Sequence, residues 1–331
     1  MSLPRTMRAL RVSSLAPDYG GCSIDEVPTP EPGAGQVLVR IRAAAIGFPD
    51  LLMTRGEYQH KPPLPFVPGG DMAGDVVALG AGVDSVAEGD SVVATYLGGG
   101  FGEYALYPAA ALRPKPAKLD YAAASAFGAA YLTAYVALHR RAQLQPAEWV
   151  LVHGAAGGVG LAAVDLAKVL GARVIAASAS DEKLAIIQRD YAPDAVVNSA
   201  PGFRERVKEI TGGRGADIIY DPVNGDVFEE STRCIAFDGR LLIVGFTAGR
   251  IASFSSNMPL IKGFSIIGVR AGEYGRRHPE RGAENMAAIW GLAEAGRLSP
   301  RVHATYPLER WREAFDVMAS RRVVGRAVIT P

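Results

Sequence analysis

Cysteine is almost missing from this chain: two in 331 residues, Cys22 and Cys234, far apart in the sequence. Two thiols cannot build a four-thiolate structural zinc site. At that separation they are read as reduced thiols rather than as a disulfide framework. Histidine is also scarce, and the five residues at 60, 139, 153, 278 and 303 form no HExxH pairing. Neither sign of charge is in excess, since 35 Lys+Arg against 34 Asp+Glu leaves a net charge of +1. That balance gives no electrostatic reason to expect nucleic acid or an anionic membrane as a partner. No run of eighteen apolar residues is read, and the opening MSLPRTMRALRV has no apolar signal region. The expectation is a chain with no membrane span and no signal peptide, working in the cytoplasm.

What is present suffices for two domains, each with its own core. The first hundred residues read as β-rich. In QVLVRIRA (36–43), Val37, Val39 and Ile41 alternate with other residues, the pattern of a half-buried strand. GDVVALG, GDSVVATY and GEYALYP are further short strands separated by Gly, Asp and Pro. PKPAKLDYAA (114–123) reads as a linker into a helix over 123–139. From 149 the texture changes. Strands are expected at 149–153, 173–177, 195–198, 217–221, 240–245 and 264–269, with helices at 158–170, 181–190, 202–211 and 226–236 between the first five. The last link, 246–263, reads as loop. Alternating strands and helices imply a parallel sheet, and six strands complete a dinucleotide-binding sheet. Beyond 270 the pattern gives a loop, helices at 280–296 and 308–319, and strands at 302–306 and 325–329. With the parallel sheet already full, this segment is expected to return to the first domain.

The stretch HGAAGGVG places Ala155, Gly157 and Gly160 as A-x-G-x-x-G between a strand and a helix. A small first residue permits the tight turn, Gly157 lets the backbone approach a pyrophosphate, and Gly160 lets the helix sit close on the strand. The free N–H groups of Gly158, Val159 and Gly160 and the positive end of the helix dipole then face the phosphates. The second strand, RVIAASAS, ends on Ser178 and Ser180. A carboxylate is common there in NAD-binding proteins, where it accepts from the ribose 2′-hydroxyl. Serine does not repel a 2′-phosphate, and Lys183 on the next helix offers it a point charge. NADPH is therefore the expected cofactor. Asp181 and Glu182, beside that lysine, are read as helix-start residues favoured by the dipole.

With these residues in view, the sequence resembles the medium-chain dehydrogenase/reductase superfamily, and within it the zinc-independent NADPH:quinone oxidoreductases that include zeta-crystallin. The resemblance rests on LPFVPGGDMAGDVVALGAGV (64–83), VHGAAGGVGLAAVDLAKVLGARVIA (152–176), YDPVNGDVFEESTRCIAFDGRLLIVGF (220–246) and VVGRAVI (323–329), in order along most of the chain. It implies an α/β protein: a chaperonin-10-like β-rich catalytic domain over 1–122, a doubly wound six-stranded Rossmann domain over 123–269, and a return to the catalytic domain over 270–331. Zinc-dependent relatives hold their metal with Cys and Gly-His-Glu; the corresponding stretches here read AIGFPD (45–50) and PGGDMAG (68–74), with Gly70 in the histidine's place and Asp71 after it. One Asp does not replace three ligands, so no catalytic metal is expected.

The resemblance also implies roles. Tyr58 matches a tyrosine at the active cleft and Thr133 a threonine near the nicotinamide. Asn224 and Gly225 fall beside the cofactor, Gly245 and Phe246 under the nicotinamide, Val269 just beyond the last strand, and Arg326 at a basic position that reaches the cofactor. It further implies a homodimer through the sheet edge. There are departures. An Asn-x-x-Asp-x-Tyr pattern reads Gly47, Asp50 and Leu52 here, Ser199 replaces a tyrosine near the 2′-phosphate, and Arg270 replaces an aromatic.

A metal-free site must stabilise developing negative charge with hydrogen-bond donors. That favours quinones and α,β-unsaturated carbonyls, which give delocalised anions. The alternatives are an enoyl thioester or small aldehyde as acceptor, or a non-enzymatic NADPH-binding protein. Tyr58 is the candidate donor. Asp50 is read as a structural hydrogen-bonding residue, because an ionised carboxylate would oppose a developing enolate, and His153 as a structural histidine.

Overall fold

Alternation of strand and helix patterns after residue 149 becomes a parallel sheet, and the Gly/Pro-punctuated strands before it become an antiparallel one. The computed structural model describes residues 3–96 and 98–331. The chain divides into two compact units, Met1–Ala129 with Pro300–Pro331, and Ala130–Ser299. In chain order the elements are β1 (Thr6–Val12), β2 (Cys22–Pro28), β3 (Gln36–Ala45), α1 (Phe48–Arg55), β4 (Asp71–Leu79), β5 (Ser91–Thr95), β6 (Tyr104–Pro108), β7 (Arg113–Pro114) and α2 (Tyr121–Tyr135). Then follow β8 (Trp149–Val152), α3 (Gly158–Val169), β9 (Arg173–Ser178), α4 (Asp181–Tyr191), β10 (Ala195–Asn198), α5 (Arg204–Ile210), β11 (Ala216–Asp221), α6 (Asp226–Ser231) and β12 (Ile235–Ile243). The chain ends with α7 (Asn257–Lys262), β13 (Ser265–Gly268), α8 (Ala271–Arg277), α9 (Pro279–Glu294), β14 (Val302–Pro307), α10 (Trp311–Ala319) and β15 (Arg326–Thr330).

In the first unit the sheet runs β14-β15-β3-β4-β5-β7, with β6 also on β3 and a separate β1-β2 pair. β3 carries the sheet because Val37, Val39 and Ile41 are all buried and its ten residues pair with β4 along most of their length. Phe101, Tyr107, Trp311 and Phe315 fill the core between sheet and α10. Phe315 meets both Phe101 and Trp311 edge-on, an arrangement aromatic rings favour.

In the second unit the order is β10-β9-β8-β11-β12-β13, every pair parallel. Strand order reverses between β8 and β11, the switch point at which open α/β sheets bind ligands beyond the carboxyl ends of the strands. Val150, Leu151 and Val152 are fully buried, as the continuous apolar run of a central strand requires.

Several expectations shift. The helix expected over 226–236 stops at Ser231, because the chain must turn and enter a nine-residue β12 at Ile235. The 246–263 link contains α7, and α8 occupies a stretch read as loop; both are short and lack a clear apolar stripe. The return also comes later than residue 270. Residues 270–299 stay with the second unit, where Arg140 donates to Asn285 and Glu284, and Asp165 on α3 accepts from Tyr131 Oη and Ser299 N at 2.5 and 2.7 Å. The helix expected over 123–139 starts earlier and, continued by a π turn at Val136–Arg141, is long and apolar enough by composition to cross a membrane. Its most apolar window is 67% buried within the protein, the burial of an interior helix.

Candidate functional site

α3 begins at Gly158 behind the N-cap Gly157, which has no side chain to cap the first turn. The first amides of any helix have no acceptor within it, so this end presents N–H groups and the positive end of the dipole together. The two framework glycines serve different ends. A Cβ on Gly160 would lie 2.2 Å from the Gly154 carbonyl oxygen, so glycine is required for helix and turn to touch. A Cβ on Gly157 would meet nothing nearer than 3.4 Å, and its φ of −76° suits any residue. Space at Gly157 is therefore left open by the fold. Ala155 N donates to Ala177 O at 3.0 Å, which fixes the turn beside the end of β9 and Ser178.

Ser178 is buried as the last residue of β9. Ser180 is the N-cap of α4 and accepts from Lys183 N at 3.4 Å, which leaves Lys183 half-buried on the first helical turn. Asp181 accepts from Asn198 Nδ2 at 2.8 Å, so one of the two carboxylates that precede that lysine is engaged with β10.

The remaining residues assigned to the cofactor in this unit gather on the same rim. Asn224 and Gly225 follow β11 in left-handed backbone, φ 66° and 63°. Asn224 Oδ1 accepts from Ala252 N at 2.8 Å and its own N–H donates to Asp221 Oδ1 at 2.8 Å. The buried Asn224 side chain thus holds the loop after β12, a role the sequence did not suggest. Gly245 runs close to Pro222, whose carbonyl oxygen would be 3.1 Å from a Cβ there. Phe246 is exposed, and Val269 N donates to Ile243 O at 2.9 Å beyond β13. Asp221, fully buried at the tip of β11, leaves Oδ2 without a partner among the described residues, and burial pushes its carboxyl up to about 6. His153 is buried, bonds Ser231 Oγ through Nε2 at 2.9 Å and is pushed down to about 3 by burial, so it is a neutral structural group. Thr133 is half-buried on α2.

In the first unit α1 forms because Gly47 N and Asp50 close a capping arrangement, with Pro49 inside the first turn and Gly56 ending the helix in left-handed backbone. Asp50 is 3% exposed and accepts from Gly47 N, Gly69 N and Gly70 N at 2.7, 3.0 and 3.3 Å. Burial pushes its carboxyl up to about 6 against the pull of those amides. The structure places Asp50 where the sequence reading had it, as a hydrogen-bonding strut. Tyr58 lies half-buried on the bend two residues past Gly56.

Arg326, which the resemblance implies reaches the cofactor, has its guanidinium buried on β15. Nη1 pairs with Asp71 Oδ2 at 2.6 Å, Nε donates to Ile46 O at 3.3 Å and Nη2 to Ala45 O at 3.2 Å. Thr95 Oγ1 donates to the other Asp71 oxygen at 2.8 Å. The ion pair ties β15 to β4 across the intervening β3, and nothing in the local sequence around either partner foretold it. The same contacts test a zinc site. Gly47 and Gly70 offer no ligand atom, Asp71 is matched by a guanidinium and a hydroxyl, and Asp50 by three amides. Among the described residues no group of three His, Cys, Asp or Glu could hold a metal. The donor set does not fit zinc.

Comparison with known proteins agrees with this architecture. The alcohol dehydrogenase GroES-like domain family matches residues 33–117, and the zinc-binding dehydrogenase family matches 158–288. The chain is 38% identical over 308 residues to a quinone oxidoreductase-like protein 2 homolog of Nematostella vectensis, covering 92% of this chain and 84% of that protein. A probable oxidoreductase from Mycobacterium abscessus superposes with a TM-score of 0.90 at 37% identity, over 99% of this chain and 100% of that one. A mycobacterial protein complexed with NADPH superposes with a TM-score of 0.88 at 28% identity, over 98% and 100%. Fold, motif order and sequence identity together place the chain among the oxidoreductases of the medium-chain dehydrogenase/reductase superfamily, in the quinone oxidoreductase family.

Proposed function

We propose that this protein is an NADPH-dependent, metal-free reductase of quinones or α,β-unsaturated carbonyls. The observation that carries the reading is the donor set around α1, where the carboxylates are matched by amides and Arg326 rather than left to a metal. The uncapped start of α3 suits a diphosphate, and Ser178 with Lys183 suits a 2′-phosphate better than a carboxylate would. When bound, the nicotinamide supplies a hydride. A conjugated acceptor spreads the resulting charge, whereas a simple ketone gives a localised alkoxide for which a Lewis acid is useful. Tyr58 donates a hydrogen bond to the oxygen on which charge develops, a contribution of about 2.7–4 kcal/mol to the barrier. Thr133 orients the ring or its amide.

The test is NADPH oxidation with a panel of quinones, enones, enoyl thioesters and aldehydes, run with and without chelator. Quinones or enones should be reduced and chelator should leave turnover intact; Tyr58→Phe should lower kcat roughly a hundredfold without changing thermal stability. Turnover that disappears with chelator refutes the metal-free reading.

A homodimer belongs to the same proposal. Among the described residues β13 is one of the two edge strands of the parallel sheet, β10 being the other. Beside β13 Phe237, Leu260 and Ile261 are 76%, 83% and 69% exposed, and Phe237 packs on Gly263 directly before that strand. Open edges next to exposed apolar side chains are normally covered, and a second copy supplies the same edge and patch.

A further inference from the structure

β9 and β10 end side by side. Asn198, the last residue of β10, pairs in register with Ser178, the last residue of β9. Ser199 N then donates to Ser178 O at 3.0 Å, which keeps the two chain ends together. Asn198 therefore stands beside the residue to which the 2′-phosphate was assigned. Its side chain makes two bonds of opposite sense. Oδ1 accepts from Ala200 N at 3.0 Å, and this turns the amide so that its donor faces α4. Nδ2 then donates to Asp181 Oδ1 at 2.8 Å, on the first turn of that helix.

Asp181 is the first carboxylate the chain meets after β9, three residues beyond Ser178. An NAD-binding sheet commonly carries an acid at the end of this strand, where it accepts from the ribose 2′-hydroxyl. Ser178 and Ser180 remove the acid from the strand end, but they leave the exposed Asp181 on the same rim. A carboxylate free to turn towards the ribose gains a hydrogen bond with NADH and repels the extra phosphate of NADPH. The serines alone do not prevent this. Asn198 does, because it ties one oxygen of Asp181 to the end of β10.

We propose that Asn198 is a specificity determinant for the nucleotide: by holding Asp181 against β10 it keeps a carboxylate from the ribose and so favours NADPH over NADH. This rests on the NADPH reading above and names a residue that enforces it. Kd values for NADPH and NADH are measured by fluorescence titration for wild type, Asn198→Ser, Asp181→Asn and the double variant. Serine at 198 can still accept from Ala200 N in a local turn, but it is a bond too short to hold Asp181. In Asn198→Ser the ratio of the NADH Kd to the NADPH Kd should fall about tenfold, the lower end of what a hydrogen bond to a charged group is worth. Asp181→Asn should keep the wild-type ratio or raise it. The double variant should return to the wild-type ratio, because no carboxylate is left to release. An Asn198→Ser ratio equal to that of the wild type overturns the inference and leaves the NADPH reading standing; general damage to the rim gives this result, since it weakens both nucleotides together. A double variant with the lowered ratio of Asn198→Ser also overturns it, since Asn198 would then act otherwise than through Asp181. A wild type that binds both nucleotides equally removes the NADPH reading and this inference with it.

Discussion

Alanine at Gly160 and alanine at Gly157 should separate folding from cofactor binding. At Gly160 the new Cβ would sit 2.2 Å from Gly154 O, 2.8 Å from Gly154 C and 3.1 Å from Ala155 Cα. All three are backbone atoms, so α3 must move away from the turn by roughly an ångström, an overpacking cost of about 1–3 kcal/mol. For a domain of this size that lowers Tm by about 2–4 °C per kcal/mol. At Gly157 the nearest atom is 3.4 Å away and the backbone is already extended. Alanine there loses about 1 kcal/mol as a poorer N-cap and recovers about 0.4–1 kcal/mol from a less flexible unfolded chain. Its methyl group nevertheless occupies the approach to the uncapped amides. Hydrogen bonds from those amides to a charged phosphate are worth about 1.5–3 kcal/mol each, so the NADPH Kd should rise by about one to two orders of magnitude. Thermal and guanidinium unfolding without nucleotide measure the first effect, and NADPH fluorescence titration the second. A Gly157→Ala protein that folds normally and binds NADPH like the wild type would refute the placement of the diphosphate. A Gly160→Ala protein of wild-type stability would refute the close approach of helix and turn.

Lys183→Ala should weaken NADPH about tenfold, the loss of one charge-assisted contact, and leave NADH unchanged; equal affinities of the wild type for both nucleotides would end the 2′-phosphate argument. Buried His153 is pushed from 6.5 down to about 3, so the folded state refuses a proton that the unfolded state accepts. Its contribution to stability is present above pH 6.5 and is lost as pH falls towards 3, and the stability difference between wild type and His153→Gln, followed by denaturant unfolding, should change by about 1.4 kcal/mol per pH unit across that window. Leu260→Glu combined with Ile261→Glu should convert a dimer to a monomer in sedimentation equilibrium; a wild type that sediments as a monomer sinks the edge-pairing proposal.

The parallel sheet could be read from the chain because most of its strands are short apolar runs that end on small or turn-forming residues, β12 with its Asp238-Gly239-Arg240 being the exception. The glycine turn was readable for a related reason: the mechanical requirement at Gly160 is local, set by residues six positions apart. Short amphipathic pieces fared worse. α7 and α8 are six and seven residues long, too brief for a helical period to stand out. The return of the chain after Ser299 rather than near 270 depends on Asp165, Tyr131 and Arg140, partners scattered over more than a hundred residues. No window of sequence contains such a contact.

The pairing of Asp71 with Arg326 is the sharpest case, since 255 positions separate the partners. A buried carboxylate needs a compensating cation or several donors, because an unpaired charge in that setting is costly. In a zinc enzyme the metal can meet that need for its own ligands. Here Gly47 and Gly70 remove ligand atoms, and the chain's last strand brings in a fixed guanidinium instead. An arginine cannot be lost to a chelator and does not release its proton near neutral pH. It also cannot open a coordination position as a metal does; its N–H groups are spent on Asp71 and on the carbonyl oxygens of Ala45 and Ile46.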